Sequence, residues 1–207
     1  MLKKSAFALL AAAMSFVVST AAAVAGPKVA FETSLGAFTI ELDEERAPKT
    51  VANFLGYVEA GHYDGVIFHR VIKDFMAQAG GFTIQDGAYV QKKVGAPIEN
   101  EADNGLRNLR GAVAMARTPD PHSASAQFFI NLVDNKFLDH RSRDARGWGY
   151  AVFGRVVSGM EVIDKMAVAA TTQRLMAARG GDGGLVERPF NDVPSRDIVI
   201  LSAKQVE

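Results

Sequence analysis

The 207-residue chain contains no cysteine. That excludes disulfide staples, thiol nucleophiles and cysteine-ligated metals, so the apolar core alone must carry stability. It also has no surplus of either charge, with 23 Lys and Arg against 23 Asp and Glu. Nothing in that balance points to nucleic acid or an anionic surface as partner. Repeats, heptads and interdomain linkers are missing, and no long apolar surface run or coiled coil calls for a second copy, so a monomer is expected. His62, His69, His122 and His140 lack the close spacing of metal ligands, and no metal or cofactor is expected. His122, Ser123 and Ser125 lie near one another, but without a G-x-S-x-G elbow or an orienting acid they read as a polar loop. NGLRNLRG is basic but is balanced by Glu99, Glu101 and Asp103, which makes it a poor phosphate site.

What is present begins with MLKKSAFALLAAAMSFVVSTAAAVA, residues 1–25. Lys3 and Lys4, an apolar centre without acidic residues, and Ala23-Val24-Ala25 follow the order of a secretory signal peptide. Ser15, Ser19 and Thr20 interrupt the apolar stretch, leaving it short of the ~20 residues that a membrane span needs. Cleavage after Ala25 is expected to release one domain, residues 26–207, slightly acidic once the two lysines are gone and with no membrane association.

Along that domain, Val29, Phe31 and Thr33 alternate before Ser34-Leu35-Gly36, and Phe38, Ile40 and Leu42 alternate after it, which predicts a hairpin. Pro48 suits a first helical turn, Val51, Phe54, Leu55 and Val58 fall at helical spacing, and Gly61 is placed to end that helix. Strands are predicted over 66–72, 75–79, 111–116, 126–132, 150–157 and the final RDIVILSAK, with a short helix over 159–167. Residues 83–111 and 171–194 read as loops. Many short strands with two helices predict a mainly β domain, a closed or nearly closed barrel with helices over its ends.

The stretch GVIFHRVIKDFMAQAGGF, residues 65–82, poses a problem. Strand alternation puts Val66, Phe68, Arg70 and Ile72 on one face and Ile67, His69 and Val71 on the other, apolar on both. A guanidinium stays charged, and burying one without a partner is costly. Within reach along the chain, only Asp74 and then Gln78 could partner it. Either Arg70 pairs with a distant group or it lines a pocket. In AQFFINL, alternation sends one of Phe128 and Phe129 to each side without saying which faces the core.

FHRVIKDFMAQAGGF (68–82), NEADNGLRNLRGAVAMAR (100–117), SAQFFINL (125–132), FLDH (137–140) and YAVFGRVVSGMEVID (150–164) together resemble the cyclophilin family of peptidyl-prolyl isomerases, most closely the periplasmic cyclophilins of Gram-negative bacteria. The resemblance runs over about residues 29–203 in the family's order. It implies an eight-stranded antiparallel closed barrel capped by two helices. It also implies an isomerase that speeds rotation about X–Pro bonds, assists the folding of exported polypeptides and works in the periplasm.

By the same resemblance, Arg70 matches the catalytic arginine and Gln78 the glutamine that orients it. Phe75, Met76, Phe129 and Leu138 match the floor and walls of the proline pocket, which leaves Phe128 to the core. Ala116, Arg117 and Gln127 match positions beside the bound peptide. Phe137 stands where many eukaryotic relatives carry tryptophan and Tyr150 where they carry histidine, and both are expected at the substrate. Without the indole N–H, cyclosporin binding should be weak. Arg117 replaces an asparagine, Ala79 a common glycine, and the loop from Thr171 to Pro194 is longer than in close relatives.

These residue types suit the reaction. Twisting a peptide bond costs ~18–20 kcal/mol because conjugation is lost, and no bond breaks, so neither nucleophile nor metal is required. The decoupled nitrogen gains a localised lone pair, and a donor aimed at it binds the twisted state better than either planar isomer. A fixed arginine is such a donor, and an apolar socket can hold the proline ring while the acyl side turns. A chaperone-like module that uses the same groove without turnover is the alternative reading.

Overall fold

The computed structural model describes residues 26–181 and 183–207, so the segment read as a signal peptide lies outside the described residues. The domain is built on an eight-stranded antiparallel sheet. Its strands are β1 (Lys28–Thr33), β2 (Gly36–Leu42), β3 (Arg70–Ile72), β4 (Met76–Ala79), β7 (Ala112–Met115), β8 (Phe128–Asn131), β9 (Val152–Ser158) and β12 (Ile200–Val206). The order across the sheet is β12-β1-β2-β9-β7-β8-β4-β3. A second sheet, in the order β11-β10-β6-β5, joins β5 (Phe82–Gln85) and β6 (Ala88–Gln91) to β10 (Thr171–Arg179) and β11 (Leu185–Pro194).

The sheet curls around a core in which Phe31 stacks on Phe38, and Phe54 packs on Phe128, Tyr63 and Phe153. Helix α1 (Pro48–Glu59) opens with proline in its first turn and buries Val51, Phe54 and Val58. Gly61, at φ 63, lets the chain leave it. Helix α2 (Met160–Ala167) buries Val162, Ile163 and Met166 against the same core. A 3-10 turn covers Lys136–Leu138. Among the described residues no helix is long and apolar enough to cross a membrane.

Three expectations change. The sheet is an open half-barrel, not a closed barrel, because β3 and β12 end it without a ladder between them. The 65–68 stretch divides its hydrogen bonds: Ile67 N donates to Phe82 O, whereas Gly65 N and Phe68 N donate to Ile200 O and Ile198 O. With its donors shared between two partners, that stretch forms isolated bridges, and the predicted strand starts only at Arg70.

The β5–β6 hairpin, Phe82 to Gln91, takes up the start of the predicted 83–111 loop, and the predicted 171–194 loop is a long hairpin, β10–β11. The second hairpin packs on the first: Met176, Ala178 and Val193 share a small core with Ile67 and Phe82.

Candidate functional site

Arg70 does not lie on the face that simple alternation assigns it. Val66 and Phe68 belong to the main core, and so does Val71, which leaves Arg70 and Ile72 on the opposite face. One extra residue resets the alternation. His69 N donates to Gln78 O at 3.1 Å while Arg70 is the register partner of Gln78, so two residues of one strand meet one of the next. The guanidinium is thereby turned out of the interior and remains 42% exposed.

From Arg70 a row of register partners crosses the sheet: Arg70, Gln78, Phe129, Ala114 and Val152, on β3, β4, β8, β7 and β9. Residues paired directly across strands point to one face, so the guanidinium, the amide and the ring stand side by side. The next row, Val71, Ala77, Ile130 and Val113, faces the core. Phe128 likewise points inward, whereas Phe129 is on the outer face.

The outer face carries its own apolar cluster. Met76, Ala112, Ala114, Phe129, Leu138 and Val152 are buried, with Ile72, Phe75, Leu106, Ala116 and Tyr150 packed around them. Phe129 meets Tyr150 edge-on at 5.7 Å, and Phe75 stacks on Phe137 at the same centroid distance. Phe137 is 63% exposed, a rim residue and not a wall.

The polar side of the face is tied together. Gln78 Nε2 donates to Gln127 Oε1 at 2.9 Å, and Ala116 N donates to Gln127 O at 2.9 Å. Gly81 makes room for that glutamine, since a Cβ there would stand 2.7 Å from the Gln127 amide. Arg117 lies over the Tyr150 ring at 4.6 Å and donates from Nε to Gly149 O. Ala79 is fully buried in the main core, away from this face.

Sequence reasoning missed two features. One is a buried amide chain under the apolar cluster. Asn135 Nδ2 donates to Phe75 O and to Asn131 Oδ1, and Asn131 Nδ2 donates to Asn108 Oδ1 and Ala112 O. Its signal was available, because Asn131 is two residues from Phe129 and therefore on the same face. The other is Asp192, on β11, whose Oδ2 stands 3.7 Å from Arg70 Nε. Gln78 is thus the register partner of Arg70 on β4, and a carboxylate distant in sequence approaches the guanidinium as well.

His69, beside Arg70, is fully buried against the Phe82 ring at 4.9 Å. Burial lowers its pKa from 6.5 to about 4, with the Arg70 charge acting in the same sense. The Ile67 carbonyl and the Gln127 side chain pull the other way, but no well-directed hydrogen bond reaches Nδ1. His122 is occupied by the Trp148 ring and by Asn100 N, consistent with a structural loop. A separate cleft beyond Ala112 and Val152 has charged walls of which several groups are paired, Arg46 with Asp43, Arg110 with Asp164 and Arg155 with Glu41. Among the described residues no group of three His, Asp or Glu could hold a metal ion.

A family model described as cyclophilin type peptidyl-prolyl cis-trans isomerase/CLD matches residues 28–205. The chain is 55% identical over 176 residues to a peptidyl-prolyl cis-trans isomerase of Streptomyces antibioticus, covering 85% of this chain and 96% of that protein. It is 48% identical over 186 residues to peptidyl-prolyl cis-trans isomerase A of Dickeya dadantii, covering 90% and 88%. It is also 48% identical over 174 residues to isomerase B of Escherichia coli, covering 84% and 96%. A crystal structure of a Cryptosporidium parvum cyclophilin-type isomerase, determined in the presence of the dipeptide Ala-Pro, aligns with TM-score 0.65 at 22% identity. It covers 87% of this chain and 99% of its own, a likeness of fold.

Proposed function

The chain belongs to the cyclophilin-type peptidyl-prolyl cis-trans isomerases, and on that premise we propose which of its residues carry the isomerisation and where the protein works. Arg70 is the donor to the twisted imide nitrogen, and Gln78, braced by Gln127, keeps the guanidinium aimed. Phe75, Met76, Phe129 and Leu138 seat the proline ring. Ala116, Arg117, Gln127 and Tyr150 run beside the flanking peptide, and Phe137 forms the rim.

The observation that carries this reading is the row Arg70, Gln78, Phe129 across three adjacent strands, beside an apolar cluster separate from the main core. It provides a permanently charged donor next to a ring-sized apolar seat. A charge-assisted hydrogen bond made only in the transition state contributes ~1.5–3 kcal/mol, about one to two powers of ten in rate. The remainder of the acceleration comes from fixing the proline ring and from excluding water, where electrostatic contacts strengthen.

The substrates are proline-containing, unfolded exported polypeptides. The support for export is the order of charged, apolar and small residues over 1–25. The protein acts as a monomer in the periplasm after the signal is removed, and it binds cyclosporin weakly.

A protease-coupled assay on an X–Pro peptide, run with wild type and Arg70→Ala beside a peptide-binding titration, tests the assignment. Turnover is expected to fall at least tenfold, with affinity changing less. Refolding assistance that survives Arg70→Ala undiminished would favour the chaperone-like use of the groove.

A further inference from the structure

The β10–β11 hairpin brings one carboxylate to Arg70, and its construction explains how. It is held along its length. Met176, Ala178 and Val193 are buried with Ile67 and Phe82, and Phe190 packs edge-on against Phe82 at 5.1 Å. In the ladder Thr172 pairs with Val193 and Arg174 with Phe190, so Gln173 alone faces both Asn191 and Asp192. That is a bulge, and a bulge re-aims a side chain.

Phe190 and Val193, three residues apart, both reach the small core, which a regular strand of period two would not allow. Asp192 takes the left-handed conformation at φ 61, a region that Asp and Asn tolerate better than other side chains. Its Oδ2 comes to 3.7 Å from Arg70 Nε. That is an ionic contact, too long for a hydrogen bond. With the side chains 42% and 40% exposed, such a pair adds little to stability. Packing accounts for the bulge, which seats both Phe190 and Val193, but it needs only a residue that tolerates the left-handed region and gives no reason for a carboxylate there.

We propose that Asp192 is a positioning residue for the isomerisation. Its carboxylate attracts the Nε edge of Arg70 from the hairpin side, while Gln78 flanks the arginine from β4, so the terminal nitrogens are biased toward the groove. The inference rests on the reading of Arg70 as the donor.

The test is Asp192→Asn, which keeps the size and the left-handed tolerance and removes only the charge. It is made in the wild type and in Arg70→Ala, with kcat and KM measured separately on one X–Pro peptide. In the wild-type background kcat should fall about two- to fivefold, the range of an exposed ion pair. KM and the thermal midpoint should stay unchanged. Raising ionic strength should bring the wild type toward the variant, because exposed charges are screened. In the Arg70→Ala background Asp192→Asn should cost nothing further.

Unchanged kcat in Asp192→Asn, while Arg70→Ala is impaired, would overturn this inference and leave the role of Arg70 standing. The same loss in both backgrounds would overturn it too, since Asp192 would then act through the fold. Full activity of Arg70→Ala would remove both readings.

Discussion

Phe128 and Phe129 are adjacent on β8 and belong to different apolar clusters. Phe128 packs edge-on with Phe54 in the main core, whereas Phe129 packs edge-on with Tyr150 on the outer face. On the proposed assignment of Phe129 to the proline seat, two phenylalanines one residue apart separate stability from substrate binding.

Phe128→Ala should cost about 3–5 kcal/mol of folding stability, the usual range for an aromatic deleted from a packed core. The molecules that remain folded should keep a near-normal KM. Phe129→Ala should destabilise less and raise KM for an X–Pro peptide severalfold. Chemical denaturation and steady-state kinetics on both variants check this. Equal effects of the two variants on KM would refute the separation.

Phe137 is mostly exposed and stacks on Phe75, with no polar atom to offer a ligand. Phe137→Trp adds an N–H at the rim. It should tighten cyclosporin binding about three- to tenfold, the net effect of one added hydrogen bond, with isomerase activity little changed. Calorimetric titration of both proteins would show it. Nanomolar binding by the wild type would contradict the weak binding proposed above.

His69 makes acid stability a readout of burial. Its pKa is lowered from 6.5 to about 4 by burial, so between those values the unfolded chain binds a proton that the folded one refuses. The contribution is fully present above pH 6.5 and is lost as pH falls toward 4, on the order of 3 kcal/mol in total. Urea unfolding of wild type and His69→Gln between pH 7 and 4.5 should give a steeper decline for the wild type. Parallel curves would show that other groups set the slope.

The pattern of residues made much of this readable and hid the rest for physical reasons. The β1–β2 hairpin and both helices follow their apolar periodicity, because each buries one face against one core. Arg70 could not be oriented from alternation, because the additional residue near His69 flips the parity between Phe68 and Val71. The β10–β11 hairpin did not read as strands. Pro189 sits in an edge strand, where its missing N–H costs nothing, and the bulge at Asn191 and Asp192 breaks the period of two. Asp192 was out of reach for the same reason, since its approach to Arg70 depends on a hairpin docked through Met176, Ala178 and Val193. The choice between Phe128 and Phe129 needed the family resemblance, because alternation alone is symmetric.

Arg70 is the one donor proposed for the twisted nitrogen, and the most direct measurement of its role is the cis–trans exchange rate of an X–Pro peptide while bound. NMR line-shape analysis under saturating wild type and Arg70→Ala separates that step from binding. The on-enzyme rate should drop at least tenfold in Arg70→Ala, with the dissociation constant changing by less. An undiminished on-enzyme rate in Arg70→Ala would show that Arg70 is not the donor.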